Sequence, residues 1–230
     1  VTADRSYMEV GRAGRRSYGN QAMAFKQVKH AIFTALICVV ALTGQAAADT
    51  FRIVGFGDSL MAGYNLGPNE GFPQKLEAAL KARGHDVAVA NAGVSGDTTS
   101  GGLSRLDWSV PDGTDLVILE LGANDMLRGV APEITEQNLD TMMAALQKRG
   151  IGIVLAGMLA APNLGPDYAT AFNGIYPKLA GKYGAPLIPF FLDGVAGNPS
   201  LQLADGLHPT AAGVDRMVEG ALPVIEPLVR

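Results

Sequence analysis

Five short runs that are almost wholly apolar recur along the chain, at residues 51–56, 87–91, 116–121, 151–156 and 186–188, with longer amphipathic stretches between them. A strand that is apolar on both sides of its pleat has to be covered on both faces, and a parallel sheet held between two helical layers does that. Helices are expected at 73–83, 132–149, 168–183 and 209–229. Several of these open with proline in the first turn, and Gly84 and Gly150 stand where two of them would stop. The alternation predicts one α/β domain over residues 49–230, a three-layer, doubly wound, flavodoxin-like fold with five parallel strands. Ligands of such sheets sit beyond the carboxyl ends of the strands, where the strand order reverses. The loops to search are therefore 57–68, 92–102, 122–130, 157–166 and 190–208.

The segment before this domain reads differently. Residues 25–30 are FKQVKH, followed by AIFTALICVVALTG and then QAAADT. A basic start, an apolar centre and small residues after it form the pattern of a secretory signal peptide, here 23–48, with cleavage expected after Ala48. The apolar centre ends at Gly44, short of the ~20 residues a spanning helix needs, so an uncleaved anchor is the weaker alternative. Residues 1–22 are polar, patternless and rich in Gly and Arg, and are expected to be a non-native or unstructured extension, with translation starting at Met23. Cys38, the single cysteine, falls within the apolar run after Leu36 and Ile37, a poor setting for lipid attachment. Its loss with the leader excludes cysteine nucleophiles, thiolate metal sites and disulfides from the mature protein. Export across the inner membrane to the periplasm is expected, with no stable membrane insertion after cleavage.

Charge excludes another class of partner. The chain carries 18 basic and 22 acidic residues, and 49–230 retain 12 and 20, a net charge of −8. No run of five basic residues occurs, so nucleic acid is not an expected partner.

Histidine narrows the chemistry further, because only His85 and His208 lie beyond the leader. His85 falls in a helix-to-strand turn, at the wrong end of the sheet. His208, in Asp205-Gly206-Leu207-His208-Pro209, lies in a post-strand loop, and a carboxylate three residues away can reach its imidazole. Such a pair is also ordinary turn chemistry. A nucleophile stands after the first run, in Gly57-Asp58-Ser59-Leu60. Gly57 would permit a sharp turn, and Ser59 would present its hydroxyl and N–H together at the start of a helix, or serve simply as an N-cap. Oxyanion donors are offered by Gly96, in Asn91-Ala92-Gly93-Val94-Ser95-Gly96-Asp97-Thr98, and by the Asn124 amide, in Gly122-Ala123-Asn124-Asp125. A dinucleotide fingerprint fails because Leu60 occupies its third glycine position. Neither a Walker A loop nor the G-x-S-x-G elbow is present, and no His-Glu-x-x-His or EF-hand pattern supplies metal ligands. No cofactor and no metal are expected.

In order, these four blocks resemble the SGNH, or GDSL, hydrolase superfamily. Pro162-Asn163, the stretch from Ala171 to Leu179 and Pro186-Leu187-Ile188-Pro189-Phe190-Phe191 are similar to its bacterial secreted thioesterase I/lysophospholipase L1 and arylesterase group. The resemblance covers 49–230. It implies Ser59, Asp205 and His208 as a catalytic triad and the Ser59 N–H, Gly96 N–H and Asn124 amide as the oxyanion hole. Relatives often carry Gly where Ala123 stands, which leaves the Asn124 donor in place. An ester hydrolase acting through an acyl-enzyme on small-molecule esters, thioesters or lysolipids is the expected function. Met61, Tyr64, Leu66, Phe72, Met158, Leu159 and Leu164 are the loop residues expected to line an acyl groove, although apolar loop residues also serve as packing. The alternatives are a carbohydrate O-acetyl esterase, with the same triad and a polar groove, and a secreted non-catalytic binding module.

Overall fold

The computed structural model describes Asp49–Arg230, and the extension, the leader and Cys38 lie outside the described residues. Five parallel strands form one sheet in the order β2-β1-β3-β4-β5: β1 Phe51–Gly57, β2 Val87–Gly93, β3 Leu116–Glu120, β4 Gly152–Ala156 and β5 Leu187–Ile188. This is the flavodoxin-like order, in which the chain reverses direction across the sheet between β1 and β3. The longer helices are α2 Phe72–Ala82, α3 Thr99–Ser109, α5 Pro132–Lys148, α6 Pro166–Tyr183 and α7 Ala211–Ile225, and two short ones, α1 Ser59–Ala62 and α4 Ala123–Leu127, follow β1 and β3. Helices α2 and α7 pack together, as do α3 with α5 and α5 with α6, giving the two outer layers.

The central strands are as expected. All five residues of β3 are buried, and the core continues through Ile53, Phe56, Leu139 and Phe172. β2 differs from the two-faced burial read from its sequence: Ala88, Ala90 and Asn91 are exposed. It is the edge strand, and only its Val87 and Val89 side reaches the core against α2. The last helix starts at Ala211 rather than Pro209, because Thr210 caps it by accepting the Gly213 N–H at 3.2 Å while Pro209 pairs with Gln202 in a β-bridge. Helix α3 was not expected. Its Thr-Ser-Gly-Gly opening has poor intrinsic helicity, and its start is held by the Thr98 side-chain cap and by buried contacts.

Gly57 stands level with Gly93 on one side and Glu120 on the other, at the carboxyl end of the sheet. Its φ is not positive, so a sharp turn is not why glycine is needed there. A β-carbon on Gly57 would fall 2.3 Å from Glu120 Oε2, and one on Gly93 would fall 2.2 Å from the backbone N of Ala62. Both glycines let α1 fold back directly onto the strand ends. Gly93→Ala is expected to destabilise the protein by about 1–3 kcal/mol in denaturant unfolding, because backbone rather than a flexible side chain must yield. Gly220→Ala, at an exposed position of α7 with open space around it, should instead stabilise by about 0.5–1 kcal/mol. Equal effects at the two positions would refute the close-approach account.

Candidate active site

Ser59 is the first residue of α1, and the N-cap is Asp58, whose Oδ1 accepts the Leu60 N–H at 3.0 Å. The serine is thus one place inside the helix, not its cap. Its side chain meets His208, 149 residues later, with Oγ 2.8 Å from Nε2. The other ring nitrogen, Nδ1, lies 2.7 Å from Asp205 Oδ2. With Nδ1 protonated toward the carboxylate, Nε2 is free to accept the serine hydroxyl.

The Asp205–His208 unit is built locally. Gly206 takes a φ of +68° in a turn closed by its N–H to the Leu203 carbonyl at 2.9 Å, and Leu203 N–H bonds the His208 carbonyl at 2.7 Å. Within this turn Asp205 Oδ1 accepts the Leu207 and His208 N–H groups at 2.9 and 3.0 Å. Those backbone donors, the His208 one foremost, and then the imidazole lower the Asp205 carboxyl to about 2. On the solvent side the Tyr64 ring packs against the imidazole, with centroids 4.4 Å apart.

Asn124, in α4, donates its side-chain amide to Asp58 Oδ2 at 2.9 Å and lines the same cleft as Ser59 and His208. Gly96, with a φ of +81°, sits in the β2–α3 loop. Its carbonyl accepts the Arg128 guanidinium at 2.7 Å, and it is not among the residues that line this cleft. Two buried polar residues pin these loops. Arg105, stacked 4.0 Å over the Phe56 ring, bonds the carbonyls of Gly57 and Ala92 and pairs with Asp97 at 2.7 Å. Asp125 accepts both the N–H and the hydroxyl of Thr99, at 2.8 and 2.5 Å.

The cleft has a volume of about 470 Å³ and an apolar far wall that includes Met126, Leu127, Met158, Leu159, Phe190 and Leu192. Of the residues expected to contact substrate, Met158 and Leu159 are therefore on it. Met61 and Phe72 are fully buried, Met61 beneath the backbone of Gly55 and Phe72 edge-on to Phe191. Leu66 and Leu164 pack against the core, outside the cleft, and Tyr64 reaches it only through His208. Met126, Leu127, Phe190 and Leu192 were missed, although each lies in a loop singled out by the topology. A second cavity of about 500 Å³ lies at the amino end of the sheet, around Asp115, Gly152 and Tyr183, away from all these groups.

Residues 56–216 match the model of the GDSL-like lipase/acylhydrolase family. The chain is 39% identical over 199 residues to the esterase TesA of Pseudomonas aeruginosa, covering 86% of this chain and 98% of that one. It is 36% identical over 185 residues to thioesterase 1/protease 1/lysophospholipase L1 of Escherichia coli K12, covering 80% and 86%. The crystal structure of AlinE4, an SGNH-hydrolase family esterase, superposes with a TM-score of 0.67 at 47% identity, over 80% of this chain and all of that one.

The turn makes a pH-dependent expectation. The contribution of Asp205 to stability is complete above the ordinary carboxyl value of 3.8 and is lost as pH falls through about 2. In a carboxyl ¹³C titration the Asp205 resonance should move with a midpoint near 2. A midpoint at the ordinary value would mean that the turn does not hold it.

Proposed function

This chain belongs to the GDSL-like lipase/acylhydrolase family and is a serine esterase acting on carboxylic esters, and on that footing we propose that Ser59 is its nucleophile, with His208 as base and Asp205 as the group that orients it. The observation that carries the proposal is the unbroken line of hydrogen bonds from Asp205 through His208 to Ser59, at 2.7 and 2.8 Å, opening into an apolar cleft.

His208 takes the Ser59 proton as Oγ attacks the acyl carbonyl, and the imidazolium formed is stabilised by Asp205. The tetrahedral oxyanion is received by the Ser59 N–H and the Asn124 amide, which line the cleft, and the Gly96 N–H, from a residue outside the cleft lining, is the third donor that the family resemblance adds. His208 then gives its proton to the leaving oxygen or sulfur. Water, activated by the same imidazole, hydrolyses the acyl-enzyme and restores the serine. Charge on the oxyanion develops only in the transition state, so its donors raise kcat more than they improve binding.

The apolar wall of Leu127, Met158, Leu159, Phe190 and Leu192 favours an acyl chain over a sugar, and so an ester, thioester or lysolipid over a carbohydrate O-acetyl group. Ala123 in place of glycine leaves the Asn124 amide at the cleft. Residues 23–48 are proposed to be a signal peptide that directs export to the periplasm, with 49–230 as the mature hydrolase domain. Among the described residues no helix is long and apolar enough to cross a membrane.

A p-nitrophenyl ester series from acetyl to palmitoyl tests the chemistry. Turnover by residues 49–230 should rise from acetyl through butyryl to octanoyl and vanish in Ser59→Ala. Asn124→Ala should lower kcat by about 10²–10³-fold with little change in KM. A strict acetyl preference would instead favour the O-acetyl esterase, and no turnover by folded protein would favour a binding module. For export, intact-mass analysis of the processed protein should give Asp49 as its first residue, and a mature form retaining residues 1–48 would overturn the leader assignment.

A further inference from the structure

Beneath the nucleophile lie two carboxyl groups for which the acyl-transfer steps have no use. Asp58 and Glu120 are 1% and 0% exposed. Glu120 ends β3, and its side chain passes under Gly57, where only the absence of a β-carbon leaves it room. Glu120 Oε2 accepts the Asp58 N–H at 3.1 Å, which sets the two buried carboxyl side chains beside each other. Glu120 Oε1 meets no N–H or hydroxyl donor.

Two ionised carboxylates in contact inside a protein repel strongly, and neither can donate to the other. A single proton shared by the pair relieves that repulsion. The surroundings decide which group keeps it. Asp58 holds two donors suited to a carboxylate, the Leu60 N–H at 3.0 Å and the Asn124 amide at 2.9 Å, and it lies within the field of His208. Glu120 receives only one backbone N–H, that of Asp58.

Among the described residues no cation compensates Glu120. Arg105, on α3, spends its guanidinium on Asp97, Ser109 and the carbonyls of Gly57 and Ala92. Tyr176, reaching in from α6, donates its hydroxyl to the Leu121 carbonyl, and Asp125 on α4 adds only negative charge. Burial pushes both groups up, Asp58 to about 6 and Glu120 well beyond the usual carboxylate range, with the Asp58 charge adding to the latter.

We infer that Glu120 is a positioning residue kept as a neutral acid, and that the proton it donates to the Asp58 carboxylate fixes the geometry by which Asp58 aims the Asn124 amide and the Ser59 peptide into the cleft. The inference rests on the assignment of Ser59 and Asn124 under the proposed function. Glu120 touches no substrate and acts only through Asp58. Its replacement by an amide keeps a neutral donor in the same place, whereas its truncation leaves the Asp58 carboxylate short of one hydrogen bond and next to a void.

The test compares Glu120→Gln and Glu120→Ala on the best p-nitrophenyl ester, with active wild type and inactive Ser59→Ala run beside them. Failure of the wild type to turn over would strike the proposed function, whereas the two Glu120 variants bear only on the positioning role. Glu120→Gln should keep kcat within about threefold, while Glu120→Ala should lose about tenfold or more in kcat with KM nearly unchanged. Wild-type kcat in Glu120→Ala would overturn the inference. So would a Glu120→Gln as impaired as Glu120→Ala, because an anion would then be required. Protein labelled with ¹³C at the glutamate carboxyl gives a measurement that needs no truncated variant to fold. The resonance missing from Glu120→Gln should lie at the shift of a protonated acid at about pH 8, and the shift of an ionised carboxylate there would refute the neutral acid.

Discussion

The space left at the carboxyl ends of β1, β2 and β3 governs the rest of this molecule. Gly57, Gly93 and Glu120 stand level across three adjacent strands, and the first helical turn after β1 is pressed onto them with almost no clearance. A side chain at either glycine would lift that turn. Ser59 would then lose its place over the sheet, and Asp58 its contact with both Glu120 and Asn124. The position of Ser59 thus follows from backbone packing, with polar groups added where packing alone would leave donors and acceptors unpaired.

Those polar groups are buried and tightly partnered. Arg105 ties the carbonyls ending β1 and β2 to the following loop through Asp97, and Asp125 ties the turn after β3 to the start of α3. An ion pair such as Arg105–Asp97 yields little net stability when formed, because desolvation offsets the attraction, but losing one partner leaves an uncompensated buried charge. Here it fixes the loop that follows β2 against the ends of β1 and β2.

The sheet was legible in the sequence because buried parallel strands are apolar on both faces and their loops are punctuated by glycine and proline. The Asp205–His208 contact was legible because three residues of turn suffice to make it. Helix α3 was not: Thr99, Ser100, Gly101 and Gly102 give no helical pattern, and what holds them is the cap at Thr98 and the bonds to Asp125, both tertiary or local polar facts. The cleft was legible only in part. Periodicity does not reveal that α1 is a single turn, so Met61, read as a groove residue, turns inward under the strand, while Leu127 and Phe190 face the cavity. For Gly57 the right residue was singled out for the wrong reason, since a close approach and a sharp turn leave the same letter in a sequence.

The short turn from Leu203 to His208 also bears on how the protein acquires activity. Asp205 and His208 are joined within three residues, so bringing both to Ser59 closes one long loop instead of two. Loop-closure entropy is met once. During refolding, the docking of this single turn beside α1 brings both groups together at the serine. On the proposed assignment, activity then depends on that one long-range contact as well as on the sheet.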